Sequence, residues 1–221
     1  MSDPWLGIVA LTLRVGLLAT LVCLPLAIGL GYGLARGALP APSLVRAIVS
    51  LPMVMPPVAV GLGLLWLLGG TSPLAPLLDA IGLELAFSPA AAVVAAAVVG
   101  FPLLARSAEQ SFAEIDPRYE EIARTLGASR VSTFLRVSLP LARRGLLYGS
   151  LLCFTRALGE FGATAVVAGI IPGRTETLAL GIWSRIQLGD DAGAAWGVAL
   201  SFALALASMI AAERLLGPSR R

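Results

Sequence analysis

The sequence predicts an all-α integral membrane protein, and three observations carry that prediction. Of 221 residues, 57% are hydrophobic and 13% charged, with a mean hydropathy of +0.88; a soluble domain carries about 25% charged residues. Five apolar stretches lie at residues 6–35, 48–68, 90–105, 146–171 and 194–212. A helix needs about 20 such residues to cross the hydrocarbon. Arginines gather in the short segments between these stretches, where they set orientation in a membrane.

No positively charged segment precedes the first stretch, so it is expected to be a span and not a cleaved signal peptide. Pro25 lies inside it and removes a backbone donor, which favours a kink. Leu51-Pro52-Met53-Val54-Met55-Pro56-Pro57 opens the second span, and Gly69-Gly70 closes it. Ser88 is placed to cap the third, with Pro89 at the first helical position. That stretch is short but can continue through Phe112. The fourth covers 146–171, and the fifth follows Gly193. In lipid, the carbonyls freed at Pro52, Pro56 and Pro57 need a neighbouring helix or a wet cavity. Tolerated kinks in a bundle and bends that line a pathway both meet that need.

Net charge is +3, all 16 basic residues are arginine, and histidine is absent. Without lysine there is no G-x-x-x-x-G-K-[ST] phosphate loop, and without histidine no H-E-x-x-H zinc site. Nucleotide hydrolysis must therefore reside on another chain, and no catalytic, metal or cofactor site is expected on this one. Basic residues confined to short loops between apolar runs point to a lipid bilayer and away from nucleic acid. Cys23 and Cys153 lie in separate apolar runs without C-x-x-C spacing and are expected to be buried packing residues.

With segment 113–140 in the cytoplasm, twelve arginines lie inside: Arg36, Arg46, Arg106, Arg118, Arg124, Arg130, Arg136, Arg143, Arg144, Arg214, Arg220 and Arg221. Only Arg14, Arg174 and Arg185 lie outside. The positive-inside rule then places the N-terminus outside and the C-terminus in the cytoplasm. Trp5, Trp66, Trp183 and Trp196 fall at or near the outer interface in that topology, where indoles are favoured.

Segment 113–140 itself reads as soluble. Asp116 can cap a helix that has Pro117 at its first position, predicting a short helix over 117–126. Tyr119, Ile122, Ala123 and Leu126 share one face of it. Gly127 is expected to stop that helix in the left-handed conformation, and Ser129 to cap a second helix over 130–137 that Pro140 terminates. Helices of about ten residues are marginal alone in water. The pair therefore needs a surface to rest on, either its own bundle or a groove in a soluble partner.

Glu121-Ile122-Ala123, then Gly127, then Val137-Ser138-Leu139-Pro140 resembles the EAA loop of ABC importer permeases, E-A-A-x3-G-x9-I-x-L-P. It departs at Ile122 for alanine and Val137 for isoleucine. The resemblance covers residues 11–212 and implies a five-span type I ABC importer transmembrane domain. By that resemblance, Glu121, Ile122, Ala123, Gly127, Val137, Leu139 and Pro140 form a coupling helix seated in a cleft of an ATPase subunit. It also implies two ATPase chains carrying ATP and Mg, a periplasmic or extracellular oxyanion-binding protein, a homodimer around a central path, and a bacterial inner membrane.

Narrower motifs resemble the molybdate permease family: Leu51-Pro52-Met53-Val54-Met55-Pro56-Pro57, Phe101-Pro102-Leu103, Asp116-Pro117-Arg118-Tyr119-Glu120-Glu121, Arg156-Ala157-Leu158-Gly159-Glu160-Phe161-Gly162-Ala163-Thr164 and Ile171-Pro172-Gly173-Arg174-Thr175. Sulfate permeases share the stretch that begins at Arg156, so it alone implies only a tetrahedral oxyanion. Ile171-Pro172-Gly173-Arg174-Thr175 and the compact length favour molybdate, with sulfate and tungstate as alternatives.

Arg156 and Glu160 stand four apart in the middle of the fourth stretch, close enough to pair. A lone charge at the bilayer centre costs at least about 2.5–3.5 kcal/mol, so both are expected to face the bundle interior. One role is a neutralising structural pair. The other is a gate on the translocation pathway, in which Arg156 lowers the barrier for a dianion and Glu160 holds the guanidinium between passages. Permanent tight binding would trap the substrate, since passage requires release. Gly159 and Gly162 are expected to permit close helix approach. A secondary carrier with Glu160 as its proton site is the rival class. An intramembrane enzyme is disfavoured by the missing histidine and the absence of a second intramembrane carboxylate.

Overall fold

The computed structural model describes residues 4–70, 72, 75–80 and 85–216, so Arg220 and Arg221 lie outside the described residues. Every regular element among them is helical: α1 (Pro4–Ala35), α2 (Pro42–Val54), α3 (Pro57–Leu68), α4 (Ala75–Ala80), α5 (Pro89–Ala113), α6 (Pro117–Thr125), α7 (Arg130–Thr133), a π turn (Phe134–Ser138), α8 (Leu139–Leu158), α9 (Gly162–Val167), α10 (Leu178–Gln187) and α11 (Asp191–Leu216). Among them α1, α5 and α11 are each long and apolar enough to cross a membrane, and the bent pair α2–α3 makes a fourth if it is one span.

The core forms where α1, α5 and α8 meet, and alanine sets the spacing. Ala91, Ala92, Ala95 and Ala96 of α5 are fully buried against Val15 and Ala19 of α1 and Ala157 of α8. Apolar lipid gives helices no hydrophobic reason to associate, so small residues that let backbones approach supply the contact. A second cluster toward the other end joins Ala27, Leu104, Ala108, Phe112 and Leu146. Cys23 and Cys153, distant in sequence, lie against each other between α1 and α8, both buried and both unoxidised.

In the first and third apolar stretches the helix is continuous. α1 runs unbroken through Pro25, and Ser88 caps α5 by accepting a hydrogen bond from the Ala91 amide at 3.3 Å. The fifth begins before Gly193, because Asp190 accepts from the Gly193 amide at 2.9 Å and starts the helix at Asp191.

The second and fourth are not continuous helices. Met55 is extended, Pro56 cannot donate to the turn before it, and α2 and α3 meet at 110°. In the fourth, α8 ends at Leu158 and the chain turns through Gly159, Glu160 and Phe161 into α9. The Glu160 carboxylate accepts from the Ala163 amide at 2.9 Å and so starts a new helix where continuation was expected.

Arginines sort to two ends of this bundle. Arg36 pairs with Glu120 of α6 at 2.7 Å, and Arg46 with Glu109 of α5, next to Gly31 of α1, at 2.6 Å. Arg14, Arg174 and Arg185 line a cleft at the opposite end, where Arg185 lies over the Trp5 ring and pairs with Glu176 at 3.0 Å.

Candidate functional site

α6 forms as its caps dictate. Asp116 accepts from the Arg118 amide at 2.9 Å with Pro117 at the first position. Gly127 stops the helix at φ +89°, with open space where a Cβ would stand. The backbone angle therefore demands glycine there, not crowding. Ser129 caps α7 by accepting from the Ser132 amide at 3.2 Å. Beyond α7 the structure departs from expectation, because Pro140 does not terminate the second helix. The Leu139 amide bonds to the Phe134 carbonyl, five residues back, and this widened turn accommodates a residue with no amide hydrogen. Helix continues from α7 through Val137, Leu139 and Pro140 into α8.

Tyr119, Ile122 and Leu126 form an apolar face that the bundle leaves uncovered, with Leu126 83% exposed. Ala123 beside them is half-buried. Glu121 is also exposed, whereas its neighbour Glu120, which the motif does not single out, anchors the unit. The Glu120 carboxylate accepts from Arg36 at 2.7 and 3.1 Å, from the Ser138 hydroxyl at 2.7 Å and from the Tyr32 hydroxyl at 3.2 Å. Beneath it, Tyr32 meets Phe112 and Phe134 edge to face at 5.4 and 4.9 Å. A single carboxylate thus ties α6 to the end of α1 and to the π turn. Partial desolvation pulls its pKa upward, but hydrogen bonds from Arg36, Ser138 and Tyr32, with the Arg36 charge, outweigh that and hold it below the ordinary carboxylate value.

The second part of the site is the elbow where the two broken spans touch. A Cβ on Gly162 would stand 2.8 Å from the Pro57 side chain, and one on Gly61 2.7 Å from the Ala163 carbonyl oxygen. Glycine at these two positions lets α3 and α9 meet backbone to backbone. Gly159 has no such neighbour and is exposed, so the close approach expected of it belongs to Gly162 alone. Pro56 and Pro57 are exposed on the bend, and Pro52 is half-buried within α2. Arg156 and Glu160 pair at 2.9 Å although the helix ends between them. Glu160 is buried while the Arg156 side chain remains 35% exposed. Phe161, beside the pair, stacks edge to face on Trp183 at 5.7 Å.

Residues 9–221 match the model of the family described as "Binding-protein-dependent transport system inner membrane component". The chain belongs to this family. As a permease it is 40% identical to the molybdenum transport system permease protein ModB of Escherichia coli, over all of this chain and 97% of that one. It is 41% identical to the protein of the same name from Haemophilus influenzae over 80% of this chain and 78% of that one. The sulfate transport system permease protein CysW of Synechococcus elongatus is 37% identical over 78% of this chain and 60% of its own length. The permease shares its fold with solved ABC transporters. The inward-facing MetNI methionine transporter gives a TM-score of 0.70 at 20% identity, covering 98% of both chains. A bacterial alginate importer gives 0.76 at 17% identity, covering all of this chain and 82% of that one.

The carboxylate anchor of the permease has a measurable signature. Glu120→Gln is expected to lower stability by about 1–2 kcal/mol, the difference between charged and neutral hydrogen bonding. Because the folded-state pKa lies below the unfolded reference of 4.5, this contribution is full above that value and is lost as pH falls through the lower folded value. Thermal unfolding in detergent should therefore separate wild type from Glu120→Gln near pH 7 and bring them together in acid. A difference that persists undiminished in acid would remove the carboxylate from this role.

Proposed function

We propose that this permease is the membrane subunit of an ATP-driven molybdate importer. The observation that carries the coupling assignment is the uncovered apolar face of Tyr119, Ile122 and Leu126 on a helix that Glu120 fixes to the bundle. A nine-residue helix that exposes its apolar side needs a partner groove. Molybdate is favoured by the 40% identity to a molybdenum permease over the whole chain.

Two copies of the chain pair around a central path, each crossing the membrane five times, with N-termini outside and C-termini in the cytoplasm. The separation of Arg36 and Arg46 from Arg14, Arg174 and Arg185 by the length of the bundle supports that orientation. Each coupling unit sits in one of two ATPase chains, which hold ATP and Mg; this chain binds no cofactor. An extracytoplasmic oxyanion-binding protein delivers the anion. ATP binding draws the ATPases together, the coupling units follow, and the path opens outward. Hydrolysis resets it. The Arg156–Glu160 pair and the elbow at Pro57–Gly162 lie where the broken spans can reorganise, and there they gate passage.

Coupling between sites is reciprocal, so loaded binding protein should raise ATPase activity. In proteoliposomes containing all three components, molybdate uptake is expected to stop on ATP depletion with the ion gradient clamped. Gly127→Val in an assembled complex should abolish the stimulation by binding protein. Uptake that continues without ATP would establish an ion-coupled carrier instead, and preferential uptake of sulfate would overturn the substrate assignment.

A further inference from the structure

We propose that the cleft between the inner end of α1 and the coupling unit is a binding site for the phosphate headgroup of an anionic phospholipid. This cleft, about 620 Å³, is lined along α1 by Gly29 and Arg36 and on the coupling unit by Arg124, Arg130, Val131 and Phe134. Its charge is unbalanced. Glu120 neutralises Arg36, whereas the guanidinium groups of Arg124 and Arg130 have no ion-pair or hydrogen-bond partner among the described residues. Thr133 lines the same cleft, and its buried hydroxyl also lacks a hydrogen-bond partner there. Two uncompensated cations match a phosphate, whose oxygens accept from both guanidinium groups.

The apolar part of the wall decides between a lipid and a soluble ion. Gly29 stands seven residues inside Arg36, on the order of 10 Å along the axis. The cleft therefore runs from inside the span to the coupling unit, and Val131 beside the arginines is 68% exposed. A free oxyanion has no use for that surface; a glycerol backbone and the first methylenes of an acyl chain cover it. Basic clefts between helices at the cytoplasmic face are where anionic headgroups bind. Glu120 and Arg124 lie roughly 150° around α6 from Tyr119, Ile122 and Leu126, so lipid and ATPase can be engaged together. This placement rests on the proposed orientation, with the coupling unit at the cytoplasmic surface.

The test uses the purified complex of permease and ATPase, native mass spectrometry, and phosphatidylglycerol titrated against phosphatidylcholine. Wild type should retain phosphatidylglycerol on the order of tenfold better, as expected for two arginines acting on one headgroup. Arg124→Gln/Arg130→Gln should lose that preference, and Arg130→Gln alone should lose part of it and serves if the double variant does not assemble. Inorganic phosphate at about 10 mM should not displace the lipid. An unchanged preference in these variants overturns the proposal, as does the absence of preference in wild type. Displacement by inorganic phosphate would make the cleft a soluble-oxyanion site, and a crosslink from Arg124 to an acidic ATPase residue would assign it to the partner; either result also overturns it. Uptake measured on the same preparations keeps the two proposals apart, since ATP-independent transport with intact lipid preference would sink the importer assignment alone.

Discussion

Arg156→Ala is expected to destabilise the permease by about 3 kcal/mol and to reduce molybdate uptake more than tenfold. The substitution leaves the buried Glu160 carboxylate without its counter-charge. Breaking such a pair costs about 3–5 kcal/mol, and the 35% exposure of the Arg156 side chain puts this case at the low end. Stability loss alone does not distinguish a packing pair from a gate. Arg156→Met/Glu160→Gln does, because it removes both charges while the glutamine oxygen can still accept from the Ala163 amide and start α9. Thermal unfolding of this double variant should return to within about 1 kcal/mol of wild type. If the pair gates the path, uptake of labelled molybdate stays low in that stable protein. Recovery of uptake together with stability would reduce the pair to a packing element.

Ile122→Asp/Leu126→Asp is expected to weaken association with the ATPase on the order of a hundredfold while leaving the permease fold intact. Both side chains are exposed, so the bundle loses nothing when they change. Burying each in a partner groove contributes about 1.5–3 kcal/mol, and an aspartate there must be desolvated without a partner. Every 1.4 kcal/mol or so is a tenfold change in affinity. Titration of purified ATPase onto the detergent-solubilised permease measures the effect. Undiminished affinity would mean that this face is not the docking surface.

Structure was legible in the sequence where one residue acts on its immediate neighbours. Ser88, Asp116 and Ser129 cap the helices they were expected to cap, and Gly127 takes the left-handed angle its position demands. Breaks in the apolar spans were legible only in part. Pro56 and Pro57 announced a bend but not that α2 and α3 meet at 110°, which follows from docking α3 against α9. Arg156 and Glu160 read as a pair on one continuous helix, so hydropathy ran the fourth span straight through the elbow where the Glu160 carboxylate accepts from the Ala163 amide. Pro140 misled because the turn before it is widened, so its missing amide hydrogen does not interrupt the helix. Glu120 was invisible for another reason. Its partners Tyr32 and Arg36 lie 88 and 84 residues away, and no periodicity links them. Motif spacing pointed to Glu121, while the neighbouring carboxylate holds the unit in place.

Continuity from α7 through the π turn into α8 makes the α6–α7 unit and the α8–α9 elbow two ends of one crank. Four, five and twenty residues follow in unbroken succession, on the order of 40 Å of rod at about 1.5 Å per residue. A tilt of about 5° at the α7 end would swing the far tip by roughly 3–4 Å over that length, carrying Arg156 and the Glu160 turn together against Pro57 and Gly61 of α3. On the proposed coupling, a small rotation imposed at α6–α7 is thus enough to shift the α9 turn against α3, without any spring or relay in between.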